Sequence, residues 1–272
     1  MIMEAIKTID LKVGYEDKHI VVPDFNADFI KGKITSIIGP NGCGKSTVLK
    51  AIGRIIRKEA GTVIINDNDI QNLKSKEIAK MVSILPQSPN APASITCFDL
   101  VAYGRYPYQK GFGRLTKEDK DIINWALEVT NMKEFSSRPI AFLSGGQRQR
   151  VWIAMALAQQ TDIILLDEPT TYLDLNHQLE VLELLTSLNQ KEGVTIIMVL
   201  HDLNLASRYS DYLLAMKDGK IVKYGSSQEV LTHEILRTCF SVDGDIFIDE
   251  KTKKPACLNY TLLRKETEDE KA

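Results

Sequence analysis

The run Gly39-Pro40-Asn41-Gly42-Cys43-Gly44-Lys45-Ser46-Thr47 satisfies the phosphate-binding pattern G-x-x-x-x-G-K-[ST]. Each residue type has a chemical reason. Glycines let consecutive backbone N–H groups converge on a phosphate with no Cβ in the way. A helix starting directly after the loop adds unpaired donors and the positive end of its dipole. Lys45 can reach the β- and γ-phosphates, and the Ser46 hydroxyl can ligate Mg²⁺. The stretch implies a nucleoside triphosphate ligand. Cys43, inside the loop, is expected to be sensitive to alkylation and to take no part in chemistry.

Further along, Asp167-Glu168-Pro169 ends the apolar run Ile163 to Leu166. Asp167 can hold Mg²⁺ through water, and Glu168 can accept a proton from the water that attacks the γ-phosphate. Gln87 follows a strand that stops at Pro86; it either touches Mg²⁺ or the attacking water, or is a loop glutamine in solvent. His201, after the apolar run Val194 to Leu200, is either structural or a γ-phosphate contact. Tyr15 is either a core or rim aromatic or a platform for a nucleotide base. Ser144-Gly145-Gly146-Gln147 opens a helix and forms a second anion site from a hydroxyl, flexible backbone donors and a dipole. One nucleotide needs only one phosphate loop. Either two ligands bind, or the second site serves a nucleotide held by another copy of the chain.

The elements that must position these groups are legible in the hydrophobic pattern. Ile34 to Ile38 reads as a buried strand, and Val48, Leu49, Ile52, Ile55 and Ile56 recur at helical spacing from about Lys45. Alternation at Ile9, Leu11 and Val13, and at Phe25, Ala27 and Phe29, predicts half-buried strands of an antiparallel sheet. Gly61 to Ile65 and Met81 to Leu85 read as strands, with a turn at Asn66-Asp67-Asn68-Asp69. Residues 88–158 read as a mainly helical insertion. Its first part, punctuated by Pro89, Pro92, Gly104, Pro107, Gly111 and Gly113, carries an exposed aromatic run, Tyr103-Gly104-Arg105-Tyr106-Pro107-Tyr108. That run either docks a partner or packs locally. Helices are predicted over Lys117 to Lys133, Gln147 to Gln160 and Asn176 to Gln190, the last with the stripe Val181, Leu184, Leu185 and Leu188. Lys217 to Lys220 is a hairpin turn, and Ser226 to Glu229 a capping box. Residues 241–260 form a small appendage with no assigned place.

The 272 residues are 44% hydrophobic and 26% charged, ordinary for a globular protein, and the net charge of −2 gives nucleic-acid binding no support. No apolar run approaches the roughly 18 residues of a spanning helix, and no signal peptide is expected. Cys43, Cys97, Cys239 and Cys257 are far apart and lack metal or redox spacing, so they are expected as thiols in a cytoplasmic protein.

Taken in order, these motifs resemble the nucleotide-binding subunit of an ABC (ATP-binding cassette) transporter over roughly residues 5–260. Gly39 to Thr47 matches the Walker A loop, Gln87 the Q-loop, Leu143 to Gln147 the signature that other phosphate-loop proteins lack, Ile163 to Glu168 Walker B, Leu173-Asp174 the D-loop and His201 the switch histidine. Tyr15 falls at the adenine-stacking position. Gly104 to Tyr108, Arg148 to Gln159 and Asp167 to Gln178 resemble cassettes of iron-chelate importers, which carry ferric siderophores, haem or vitamin B12. The resemblance implies an α/β fold: a P-loop NTPase (RecA-like) core with an antiparallel β subdomain and an inserted α-helical subdomain. It implies one ABC ATPase domain over 1–260, with the core about 1–87 and 159–225, the helical subdomain about 88–158, an appendage at 226–260 and a charged tail at 261–272.

For function, the resemblance implies ATP and Mg²⁺ as ligands, with Ser46, Gln87 and Asp167 at the metal. Lys45, Gln87, Glu168 and His201 would be catalytic. Gly39 to Thr47, Tyr15 and Asp174 would bind nucleotide, with Ser144, Gly145, Gly146 and Gln147 acting from the other copy of a head-to-tail homodimer. Partners would be polytopic permease subunits and, indirectly, an extracytoplasmic substrate-binding protein, with the chain at the cytoplasmic face of the membrane. The rival is a soluble ABC ATPase of DNA repair, translation or cofactor assembly. A single cassette and no sustained heptads count against it. A phosphate-loop kinase has no use for Ser144 to Gln147.

Overall fold

The computed structural model describes residues 3–15, 19–109 and 114–263. Gly111 and Gly113, and the charged residues from Arg264 onward, lie outside them. Strands β1 (Glu4–Gly14) and β2 (Ile20–Ile30) pair as an antiparallel hairpin. After β3 (Ile34–Ile38) and helix α1 (Lys45–Ile52) come β4 (Ala60–Ile65), β5 (Asn68–Asp69), α2 (Ser75–Ile78) and β6 (Val82–Leu85). The insertion holds α3 (Cys97–Ala102), a 3-10 turn over Tyr103–Tyr108, α4 (Lys117–Val129) and the start of α5 (Gly145–Ala158). The chain then runs through β7 (Ile163–Leu166), α6 (Leu175–Glu192), β8 (Thr195–Val199), α7 (Leu203–Tyr209), β9 (Tyr212–Lys217) and β10 (Lys220–Ser226). It finishes with α8 (Ser227–Val230), α9 (His233–Phe240) and the antiparallel pair β11 (Val242–Ile248) and β12 (Pro255–Leu262).

Two sheets do most of the work. One has the order β2-β1-β4-β5, the other β10-β9-β3-β8-β7-β6. In the second, β9, β3, β8, β7 and β6 are parallel and only the edge strand β10 is antiparallel. Its central strands alternate between two cores. Ile163 and Leu165 of β7 join α1 and the antiparallel sheet, whereas Ile164 and Leu166 join α5 and α6. A strand buried on both faces favours apolar residues along its whole length, which explains the unbroken Ile163 to Leu166 run.

Three local readings change. Ile9 is exposed rather than inward, because a bulge at Asp10 (φ 49°) shifts the strand's parity, leaving Thr8 and then Leu11 and Val13 inside. Gly61 is required opposite that bulge, since a Cβ there would lie 2.2 Å from the Asp10 carbonyl oxygen. Helix α1 ends at Ile52, capped by Gly53, so Ile55 is exposed instead of extending the stripe. Within the appendage, residues 241–260 form most of the β11–β12 hairpin, which extends through Leu262, so Thr261 and Leu262 belong to a strand rather than to the charged tail.

The aromatic run splits between its two readings. Tyr103 and Tyr106 are exposed, but Arg105 is buried, its Nε 2.8 Å from Asp119 Oδ1 and its Nη1 2.9 Å from the Ala158 carbonyl. Tyr108 stacks its ring 4.0 Å from the guanidinium and donates its hydroxyl to the Gln159 carbonyl. Burial pushes the Asp119 carboxyl up, but Arg105 and Thr116 outweigh it and hold it below the usual aspartate range. Removing one member of a buried pair strands the other charge. Arg105→Ala is therefore expected to cost roughly 3–5 kcal/mol, measured as a lower urea midpoint with the slope unchanged.

Candidate functional site

The parallel order β3-β8-β7-β6 sets four strand ends side by side, and each delivers one element of the site. After β3 comes the Gly39 loop, after β8 His201, after β7 Asp167 and Glu168, and one residue beyond Pro86 at the end of β6, Gln87. This is the carboxyl edge of an open parallel sheet, where α/β folds bind ligands. Gly39 (φ 153°) allows the loop to press against the sheet, where a Cβ would lie 2.3 Å from the Met216 carbonyl oxygen. Gly44 (φ 101°) takes the left-handed conformation that starts α1.

Lys45 is 5% exposed and its ammonium donates to the carbonyls of Gly39 (2.8 Å) and Pro40 (2.9 Å), bridging the loop's own backbone. The Ser46 hydroxyl donates to Asp167 Oδ1 at 2.6 Å. Burial is the main influence on Asp167 and pushes its carboxyl up, against the Ser46 hydrogen bond and the charges of Lys50 and Lys45. Glu168 is gripped by three side chains. Gln87 Nε2 donates to Oε2, the Thr171 hydroxyl donates to the same oxygen at 2.9 Å, and His201 Nε2 lies 2.7 Å from Oε1. Its backbone is left-handed (φ 55°), an uncommon state for a non-glycine residue and one that clusters at functional sites.

A cavity of about 470 Å³ opens over the loop, of ligand-binding size. Tyr15, Asn41, Gly42, Gly44, Lys45, Ser46, Thr47, Gln87, Glu168 and His201 line it, with Val21. Gly39, Pro40, Cys43 and Asp167 do not line it. Tyr15 is half-exposed at its rim, its hydroxyl 3.2 Å from that of Thr47. A larger cavity, about 820 Å³, lies at the other edge of the sheet between α4 and the starts of β7 and β8. It has no phosphate loop, so size alone does not locate the site.

Ser144, Gly145, Gly146, Gln147 and Asp174 are absent from the lining of the cavity over the loop. Ser144 caps α5, exchanging bonds with Gln147 (3.2 and 3.0 Å). Asp174 caps α6, accepting from His177 N at 2.9 Å and lying 2.7 Å from His177 Nδ1. Those contacts, the backbone one foremost, hold its carboxyl below the usual range. The two helix starts abut: a Cβ on Gly146 would lie 2.2 Å from His177 Cδ2. Sequence reasoning passed over His177, although Asp174 three residues before it is a readable cap. Thr171, which holds Glu168, carried no signal.

The chain matches the ABC transporter family model over residues 22–171. It is 55% identical over 266 residues to the iron(3+)-hydroxamate import ATP-binding protein FhuC of Bacillus subtilis (strain 168), covering 98% of each chain. It is 44% identical over 245 residues to the ferric enterobactin transport ATP-binding protein FepC of Escherichia coli (strain K12), covering 90% of each. Among solved structures it is similar to a chain from an inward-facing ABC transporter assigned to the metal-chelate type, with TM-score 0.81 and 28% identity over 94% of this chain and 96% of that one. A dimeric post-hydrolysis ATP-binding cassette, MJ0796, with ADP and Pi gives TM-score 0.70 and 30% identity over 81% and 98%.

The expected alkylation sensitivity of Cys43 is corrected by its surroundings. The residue is 4% exposed, its sulfur turned under the loop towards Gly39, and burial raises its thiol against the opposing charge of Lys45. Reactivity requires an accessible thiolate. Cys97, Cys239 and Cys257 are buried as well. Native protein is therefore expected to react slowly with a maleimide at all four positions, and fully after denaturation, as read by intact-mass spectrometry.

Proposed function

The chain belongs to the ABC transporter family, and from that premise we propose a role for each of its site residues. It is the ATP-hydrolysing subunit that powers an importer of ferric siderophores. What supports the substrate class is similarity over almost the whole length to ATP-binding subunits named for iron(3+)-hydroxamate and ferric enterobactin. Within that class the 55% identity favours a hydroxamate chelate.

The observation that carries the mechanism is the placement of Glu168, gripped by Gln87, Thr171 and His201 at the cavity over the phosphate loop. In the proposed reaction, a Glu168 carboxylate oxygen takes a proton from the water attacking the γ-phosphate. Lys45, now bonded to loop carbonyls, turns its ammonium to the β- and γ-phosphates, and His201 donates to the γ-phosphate. Loop N–H groups and the start of α1 hold the remaining charge, and Tyr15 offers its ring to the base. The donor set fits Mg²⁺: the Ser46 hydroxyl and the Asp167 carboxylate are hard oxygens in contact, and Gln87 can add its amide oxygen. When bound, the ion neutralises phosphate charge. The protein supplies few ligands because phosphates and waters complete such shells.

Ser144, Gly146 and Gln147 lie outside the cavity of their own chain, which supports a head-to-tail homodimer in which they and Asp174 meet the partner's nucleotide. We assign the core to about 1–87 and 159–225, the helical subdomain to about 88–158, and the appendage to 226–262. Docking to a permease is supported by a groove of about 280 Å³ lined mostly by apolar residues, Pro89, Ala91, Ala93, Ile140 and Trp152 among them, with Arg148. A charged, closed surface there would have favoured a soluble ABC ATPase. No helix among the described residues is long and apolar enough to cross a membrane. The chain sits at the cytoplasmic face through its permease, which a substrate-binding protein feeds from outside, and no nucleic acid takes part.

Glu168→Gln is expected to keep ATP binding while losing about 10²–10⁴ in turnover and abolishing cellular uptake of a radio-iron hydroxamate chelate. Hydrolysis near the wild-type rate would remove Glu168 as the base. The dimer is tested by mixing. Lys45→Ala and Ser144→Arg chains are each expected to be inactive alone. A one-to-one mixture should recover roughly a quarter of wild-type turnover, because mixed dimers contain one intact composite site. No recovery would place the signature's action within its own chain.

A further inference from the structure

The β11–β12 hairpin takes no part in the chemistry above, yet it is bonded to the helix that leaves the histidine loop. Helix α7 begins two residues after His201, with Asp202 as its cap accepting from Leu205 N at 2.8 Å. Its inner face is fixed by buried Leu203 and Ala206. Its outer face is fixed by β12. Asn204 Nδ2 donates to the Cys257 carbonyl at 3.0 Å, and its Oδ1 accepts from Cys257 N at 2.7 Å, so the amide pairs with β12 as a neighbouring strand would. The Ser207 hydroxyl donates to the Pro255 carbonyl at 2.6 Å, and Lys254 Nζ donates to the carbonyls of Arg208 and Ser210.

Packing does not supply this restraint at the histidine itself. A cavity of about 390 Å³ separates His201 and Asp202 from Phe240, Val242 and Tyr260 of the appendage. On the side that faces this space the loop is not packed against the appendage, so there its position depends on where α7 is held. His201, in turn, lies against Glu168. We propose that the hairpin is a positioning clamp for His201 and that Asn204 is the residue through which it acts. The proposal rests on the reading of His201 as a γ-phosphate contact. Asn204 touches no reacting atom. Its amide presents a donor and an acceptor at the spacing of a peptide group, and alanine in its place leaves both Cys257 backbone groups unpaired.

The test compares steady-state ATP hydrolysis by the full-length wild type, Asn204→Ala, His201→Ala and the double variant. Asn204→Ala is expected to lower kcat by about 10- to 100-fold, the scale of a small misplacement of a catalytic group, with KM for ATP within about twofold. His201→Ala should lose about 10²–10³, and the double variant should be no slower than His201→Ala. Unchanged kcat in Asn204→Ala, or a double variant slowed by the product of the two effects, overturns the clamp while leaving His201 in place. Near-wild-type turnover in His201→Ala overturns the reading of the histidine and the clamp with it. Should Asn204→Ala fail to fold, Ser207→Ala, which removes one hydrogen bond, is expected to show a smaller fall in kcat at constant KM. That fall too should vanish in the His201→Ala background.

Discussion

Burial of the parallel strands on both faces is the constraint from which the rest of the molecule follows. With α1 and the antiparallel sheet on one side and α5, α6 and α7 on the other, β3, β8, β7 and β6 have no face on which to display polar chemistry. Polar groups free to meet a ligand are confined to the strand ends, since the buried Ser36 and Ser83 within the strands are taken up by Ser210 and Thr161. Because the strands are parallel and adjacent, their C-terminal ends lie along one line, and residues 81 and 121 positions apart in sequence become hydrogen-bond partners. Ser46 with Asp167 and Gln87 with Glu168 are such pairs.

That constraint also explains what could be read from the sequence. The continuous apolar run that ends abruptly in Asp167-Glu168 is a strong signal, and the mostly apolar stretches before Gln87 and His201 are weaker ones, since buried strands and their polar tips are contrasted residue by residue. The half-exposed first sheet was read less well. Its alternation fails at the Asp10 bulge, and nothing in the side-chain pattern around Ile9 marks a backbone that inserts one extra residue. The reach of α1 was overestimated because Ile55 and Ile56 continue the helical period beyond a glycine that ends it. The fate of Arg105 was hidden for another reason: its partner Asp119 and the carbonyl of Ala158 are tertiary neighbours that local pattern does not encode.

The site itself divides along the same line. The phosphate loop and the two carboxylates are contiguous motifs whose chemistry residue type suggests, whereas His201 alone leaves a structural reading open. Thr171, which holds Glu168, and His177, which packs against Gly146, are ordinary residues made significant only by distance. Ser144 to Gln147 stand apart from the cavity under either alternative, a second ligand or a nucleotide held by another copy, because a sequence shows a second anion site without showing whose ligand it faces.

Helix α5 has Ser144 at one end and the aromatic run at the other. Over its 14 residues it spans about 21 Å. Gly104 lies so close that a Cβ would be 2.3 Å from the Met155 carbonyl oxygen, while Arg105 and Tyr108 bond to the carbonyls of Ala158 and Gln159. The exposed rings of Tyr103 and Tyr106 are thus bolted to the far end of a stiff rod. A rigid-body displacement of α5 would therefore carry those rings with it, because Gly104, Arg105 and Tyr108 are held to its last turn.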